Sequence, residues 1–203
     1  MRRRPFGIRE LVCIGIFAAL WGAVEMSVGA ALHVASVPFR GLMLTGAGIA
    51  IALPVRWFVP RRGSVLLAGS VTALLKLISV GGTVLTPAVA ILIESALAET
   101  VLSIGRPRRL SFAAAGGVAA LWPLVHPFLT VGILAGRGLP SVYAATIQTG
   151  ARVFGLSPAA LLGIAGVLVT LHAGVGVIAG LIAWEVGRAV SARLRQDGSV
   201  QSA

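Results

Sequence analysis

Leu11-Val-Cys-Ile-Gly-Ile-Phe-Ala-Ala-Leu-Trp-Gly-Ala-Val-Glu-Met-Ser-Val-Gly-Ala-Ala-Leu-His-Val-Ala35 carries one carboxylate, one imidazole and no Lys or Arg. A helix needs about 20 apolar residues to cross about 30 Å of hydrocarbon, so this stretch reads as a membrane span. Working outward, charge, proline and glycine punctuate five more apolar runs. The six candidate helices cover about 11–35, 41–59, 64–79, 87–104, 111–135 and 158–187. The chain has 203 residues, 57% of them hydrophobic and only 11% charged, with a mean hydropathy of +0.97. That composition belongs to a polytopic membrane protein, and the length leaves no room for a large extramembrane domain. The expected fold is therefore all-α, a single integral membrane domain over 1–203 with six transmembrane helices.

Seventeen Lys and Arg against six Asp and Glu would suggest nucleic acid in a soluble protein, but the basic residues lie almost entirely between or beside the apolar runs. Arg2, Arg3, Arg4, Arg9, Arg56, Arg61, Arg62, Arg106, Arg108, Arg109, Arg188, Arg193 and Arg195 fall on one side of the expected membrane. Arg40, Arg137 and Arg152 fall on the other, and Lys76 lies within a span. By the positive-inside rule both termini are cytoplasmic, and 38–40, 79–86 and 136–157 face outward. The last of these is a long connection and the candidate lid. The start, Arg2-Arg3-Arg4-Pro5-Phe6, superficially looks like a twin-arginine export signal, but the apolar stretch after it is too long and more spans follow. Cys13 is the single cysteine, which excludes an intramolecular disulfide and Cys-based metal sites from this chain alone. Asn is absent, so no N-glycosylation acceptor exists.

The expected orientation places Glu25, His33, Lys76, Glu94, His126 and His172 at mid-membrane or in the outward half. Each buried charge costs several kcal/mol on insertion unless it is paired or faces a wet cavity, so such groups mark a pathway or a site. The plainer alternative is that Lys76 and Glu94, on consecutive antiparallel helices, neutralise each other. Glu10, Glu99 and Glu185 lie nearer the cytoplasmic side beside arginines and read as interfacial salt bridges or solvated groups.

Helix one has two different faces. Trp21, Glu25, Gly29 and His33 recur every four residues on one; Gly15, Ala19, Ala23, Ser27 and Ala31 form a small-residue stripe on the opposite one. The first face suits a ligand, the second a closely approaching helix from this chain or another. Helix five carries Trp122, His126 and Thr130 on one face, interrupted by Pro123 and Pro127. Each proline removes an amide donor, and a kink beside a histidine suggests a cavity wall; a satisfied structural histidine is the equal alternative. His172, beside Gly174 and Gly176, reads rather as structural. Gly174 to Ala179 fits a dinucleotide-binding pattern, but no strand precedes it; with Gly180 it reads as helix packing. No Gly-x4-Gly-Lys-Ser/Thr occurs, so the chain has no P-loop of its own. No short-range ligand spacing supports a metal at the three histidines.

These residues together resemble the S component, the substrate-capturing membrane subunit, of energy-coupling factor (ECF) vitamin transporters. The resemblance covers most of the chain: the length, six spans with both ends inside, Ala19-x-x-x-Ala23 in helix one, and the stretch from Lys76 through Gly81-Gly82 and Pro87 to Glu94. It implies capture of a vitamin or related small molecule from outside, without a motor in the chain. In that family the small-residue motif of helix one contacts a transmembrane coupling subunit driven by two P-loop ATPases, so Ala19 and Ala23 are expected to dock that partner. It implies residence in the cytoplasmic membrane of a prokaryote. The family's pockets vary too much for binding residues to transfer by motif. Glu25, Lys76, Glu94, Trp122 and His126 are the substrate-binding candidates from depth and chemistry alone.

Other readings stay open. A self-sufficient carrier or channel suits the intramembrane charges, although no inverted repeat is evident. An intramembrane enzyme needs a nucleophile and base in register, and Ser27, Ser79 and Ser95 have no nearby pair, so no catalytic residue, cofactor or metal is expected. A purely structural subunit explains the stripe and leaves the polar cluster unexplained. A site holding Lys76 with carboxylates suits an anion, a cation or a zwitterion, and no nucleic-acid partner is expected.

Overall fold

Inside hydrocarbon every backbone N–H and C=O must find its partner within the protein, and a helix does this locally. The apolar runs accordingly fold as helices. The protein is described by a computed structural model, in which residues 5–79, 85–129, 136, 138–157 and 160–200 are described. The helices are α1 (Ile8–Val34), α2 (Arg40–Ala52), α3 (Pro54–Phe58), α4 (Ser64–Leu77) and α5 (Leu85–Ile104), then α6 (Arg109–Ala119), α7 (Trp122–Pro127), α8 (Leu139–Phe154) and α9 (Leu161–Val200). No strand occurs among the described residues.

Five segments are long and apolar enough to cross a membrane: Ile8–Val34, Arg40–Phe58, Leu85–Ile104, Arg109–Pro127 and Leu161–Gln196. The protein is thus an all-helical, multi-pass membrane protein. The expected third span, 64–79, is the exception. Its helix α4 has 14 residues, about 21 Å at 1.5 Å per residue, which falls short of the hydrocarbon thickness. It is nevertheless built into the bundle, packed along α1 and α5. The Thr72 hydroxyl donates to the Ala18 carbonyl at 3.0 Å and Lys76 Nζ to the Glu25 carbonyl at 3.0 Å, so α1 and α4 run in the same direction.

Prolines divide two of the expected spans. Pro54 has no N–H for the preceding turn, and 41–59 is split into α2 and α3 around Leu53, which keeps right-handed helical torsions. In the expected 111–135 span, α6 ends at Ala119; Leu121 donates to Val118 and Leu124 to Leu121 in tight turns before α7. Residues 130–135, including Thr130, lie outside the described residues. The expected 158–187 helix starts at Leu161 and runs on to Val200, about 60 Å and so well beyond a bilayer's core.

The expected long connection 136–157 is corrected: most of it is helix α8. Pro140 sits in its first turn, where a missing N–H costs nothing, and Gly155 closes it at φ +65°. Val142, Ile147 and Ala151 are buried, and the last two pack with Ile164 and Leu168 of α9. Phe39 stacks on Phe154 at 6.2 Å and meets His172 edge-on at 6.3 Å. To hold that position Phe39 adopts φ +55°, a left-handed conformation that costs a non-glycine residue about 1–2 kcal/mol.

The tightest contact in the bundle joins α6 to α9. A Cβ on Gly116 would stand 2.1 Å from the Gly176 carbonyl oxygen, and one on Gly180 2.2 Å from that of Phe112. Only glycine permits this approach, so the Gly176/Gly180 pair packs two helices and does not open a nucleotide site. At one end of the bundle Arg61 pairs with Glu10 at 2.7 Å, while the Trp57 indole donates to Ser191 and meets Trp184 edge-on at 4.4 Å. The first turn of α1 and the C-terminal part of α9 therefore lie at that same end. The Lys76 level of α4 lies toward the other.

Candidate binding site

Four helices deliver polar side chains to the bundle interior at the end away from Arg61. Glu25 on α1 and Glu94 on α5 are buried, 5% and 6% exposed. The Thr45 hydroxyl of α2 donates to Glu94 Oε1 at 2.7 Å. Lys76 of α4 is half-buried, and its ammonium donates to the backbone carbonyl of Glu25, not to a carboxylate. Glu25 interacts electrostatically with Lys76 and with Glu94, so the three charged groups form one cluster. Among the described residues neither carboxylate has a cationic nitrogen within 4.0 Å. The direct Lys76–Glu94 ion pair considered from the sequence is not formed.

Trp21, one turn before Glu25, brings its indole over Gly48: a Cβ there would lie 2.4 Å from Trp21 Nε1. The glycine therefore makes room for the ring. That N–H is buried and lacks an acceptor at hydrogen-bond geometry, though it is directed toward Glu25. His33, on the same sequence stripe, is exposed.

Trp122 and His126 form a second pair on α7. Their rings meet edge-on at 6.1 Å, and His126 Nε2 lies 3.1 Å from the Thr86 carbonyl in the first turn of α5. The Trp122 indole N–H is buried without an acceptor. The five substrate-binding candidates thus fall into two separate groups, Glu25 with Lys76 and Glu94, and Trp122 with His126. An apolar cavity of about 230 Å³ lies between α7, α8 and α9, lined by Leu124, Val125, Phe128, Ile147, Leu168 and their neighbours; none of the five lines it. His172 is buried, with Nδ1 2.8 Å from the Leu168 carbonyl, a structural placement.

The opposite face of α1 is bare. Ala19, Ala23, Ser27 and Ala31 are exposed, and a Cβ on Gly15 would meet nothing within 4 Å. Ser27 donates back to Ala23 at 2.6 Å, so the stripe presents no open hydroxyl donor.

Two residues of consequence escaped sequence reasoning. Thr45 was hidden because a hydroxyl in an apolar helix normally bonds its own backbone, and nothing local points it at Glu94, 49 positions away. Arg56 was counted among loop arginines, yet it is 2% exposed. It pairs with Glu99, which also accepts from the N–H groups of Gly63 at 2.8 Å and Val65 at 3.0 Å and from Ser103. The expected salt bridges at Glu10 and Glu185 are present: Glu10 with Arg61, and Glu185 with Arg188 at 2.7 Å and Arg109 at 3.6 Å. Among the described residues no three His, Cys, Asp or Glu side chains group as a metal would require.

Comparison of the chain with protein-family models, with curated proteins and with solved structures returns no significant match.

Proposed function

We propose that the chain is the substrate-capturing membrane subunit of an ECF-type importer for a vitamin or related small molecule. In this reading it takes its ligand from the outer side of a prokaryotic cytoplasmic membrane and relies on a separate coupling subunit and two P-loop ATPases. The observation that carries the reading is the division of labour on α1. Its inward face places Trp21 and Glu25 in the buried polar cluster, while its outward face keeps Ala19 and Ala23 clear of the chain's own helices. A helix that must both sense a ligand and offer close backbone contact to another protein needs this arrangement. The absence of a P-loop in the sequence agrees with a motor supplied by a partner.

Bulk on the stripe tests it. Ala19→Trp or Ala23→Trp keeps small-molecule retention by the detergent-purified chain but abolishes uptake in cells and co-purification with a membrane subunit and its ATPases. Unchanged uptake, or transport by the purified chain alone in liposomes without ATP, would make the protein a carrier in its own right.

A further inference from the structure

At the end of the bundle that carries Arg61, arginines from two packed helices converge on one carboxylate. Glu185 of α9 accepts two N–H groups of Arg188, one turn on, at 2.7 and 2.8 Å, and lies 3.6 Å from Arg109 in the first turn of α6. The side chains of Arg109 and Arg188 nevertheless remain 63% and 67% exposed. Arg106 and Arg108, just before α6, are exposed and pair with no carboxylate among the described residues. Four arginines thus stand against one carboxylate in this stretch. The surplus charge and the planar guanidinium donors left open suit a phosphate.

The positive-inside rule accounts for arginines at this end, but not for the surface that leads up to them. Ile178, Ile182 and Val186 follow one another at four-residue spacing along α9 and are exposed, while Ala179, Ala183 and Gly187 turn into the bundle. With Leu181 and Ala189 they line a shallow hollow of about 460 Å³, and the one charged residue on it is Glu185. From Ile178 to Ala189 the strip measures about 16 Å at 1.5 Å per residue, roughly the depth of one leaflet of hydrocarbon.

We propose that this α6–α9 face is a site for an anionic phospholipid. The phosphate headgroup sits on Arg109 and Arg188 within the field of Arg106 and Arg108, and an acyl chain runs along Ile178, Ile182 and Val186. Charge complementarity selects the occupant: a zwitterionic headgroup brings an ammonium that the surplus arginines repel, and a free anion leaves the apolar strip uncovered. Glu185 is the positioning residue, holding guanidinium groups of two helices side by side. The assignment is independent of the capture reading.

The experiment places the full chain in nanodiscs of phosphatidylcholine and phosphatidylglycerol with the same acyl chains, and counts the lipids it retains by native mass spectrometry. Phosphatidylglycerol is retained over phosphatidylcholine by about fivefold or more, and Arg109→Gln/Arg188→Gln lowers its retention by about fivefold for each arginine removed. If that variant does not fold, Arg106→Gln/Arg108→Gln, which breaks no ion pair, makes the same test in the same direction. A matched variant, Arg9→Gln/Arg62→Gln, takes equal charge from α1 and the α3–α4 connection and keeps the lipid. Thermal midpoints in phosphatidylcholine alone establish which variants are folded. Equal retention of the two lipids would overturn the site, as would equal losses in the matched variant, which would reduce the effect to the general charge of that end. Displacement of the lipid by soluble glycerol phosphate would overturn the lipid assignment in favour of a free anion.

Discussion

Arg56 and Glu99 illustrate how single residues hold this bundle. Glu99 gathers Arg56, Ser103 and two backbone N–H groups at the α3–α4 connection, which ties the start of α4 to α5. The Arg56 guanidinium also donates to the Arg61 carbonyl and to Ser103 Oγ at 2.8 Å. Both charges are almost fully removed from solvent. Removing one partner strands the other, so Arg56→Met and Glu99→Gln should each cost about 3–5 kcal/mol. The double variant should lose less than the sum of the two. Thermal or denaturant unfolding of the four proteins in one detergent measures the coupling, and strict additivity would show that the pair does not act as a unit.

Among the elements, the α6–α9 contact leaves no tolerance for side-chain bulk. Gly116→Leu or Gly176→Leu would drive carbon atoms into the facing backbone, which cannot move without separating the helices. Loss of the monodisperse folded species in size-exclusion chromatography is expected for either. Gly163 and Gly166, earlier in α9, face open space, and Gly163→Ala should instead be neutral or stabilising by up to about 1 kcal/mol. Equal tolerance at all four positions would contradict the packing. Helix α8 is the element that the connection 136–157 concealed. Polar and turn-forming residues interrupt its apolar positions, so it lacks the continuous apolar run by which the other helices were read. Its Pro140 start, its Gly155 stop and the buried Val142, Ile147 and Ala151 were the signals available to find it.

For the whole molecule, the basic residues still argue for one orientation. In a Cys13→Ser background, cysteines at Gly82 and Arg137, both outside the described residues, should react with an impermeant thiol reagent from outside. A cysteine at Arg108 should react only after permeabilisation. Labelling of Arg108 from outside would reverse the bundle and move the Glu25–Glu94 cluster to the inner side. The short α4 makes this test informative. If α4 does not complete a crossing, the sides of Arg61 and Gly82 would no longer differ, and the alternation of basic loops would lose its meaning.

The membrane class and the approximate places of the helices were legible in the sequence because both depend on local composition. An apolar run such as 11–35 must be helical in hydrocarbon whatever surrounds it. The opposition of the two faces of α1 was legible too, since a helix converts spacing directly into direction. Partnerships were not. That Lys76 bonds a carbonyl of α1 and leaves Glu94 to Thr45, that Arg56 is buried, and that Phe39 accepts a left-handed backbone to pack on α8 and α9 all depend on neighbours far away in the chain. Sequence spacing supplies each side chain's face on its helix. Only the packing of the helices against one another decides which donor reaches which acceptor, because that choice is made by distances of a few ångströms between elements the sequence leaves unconnected.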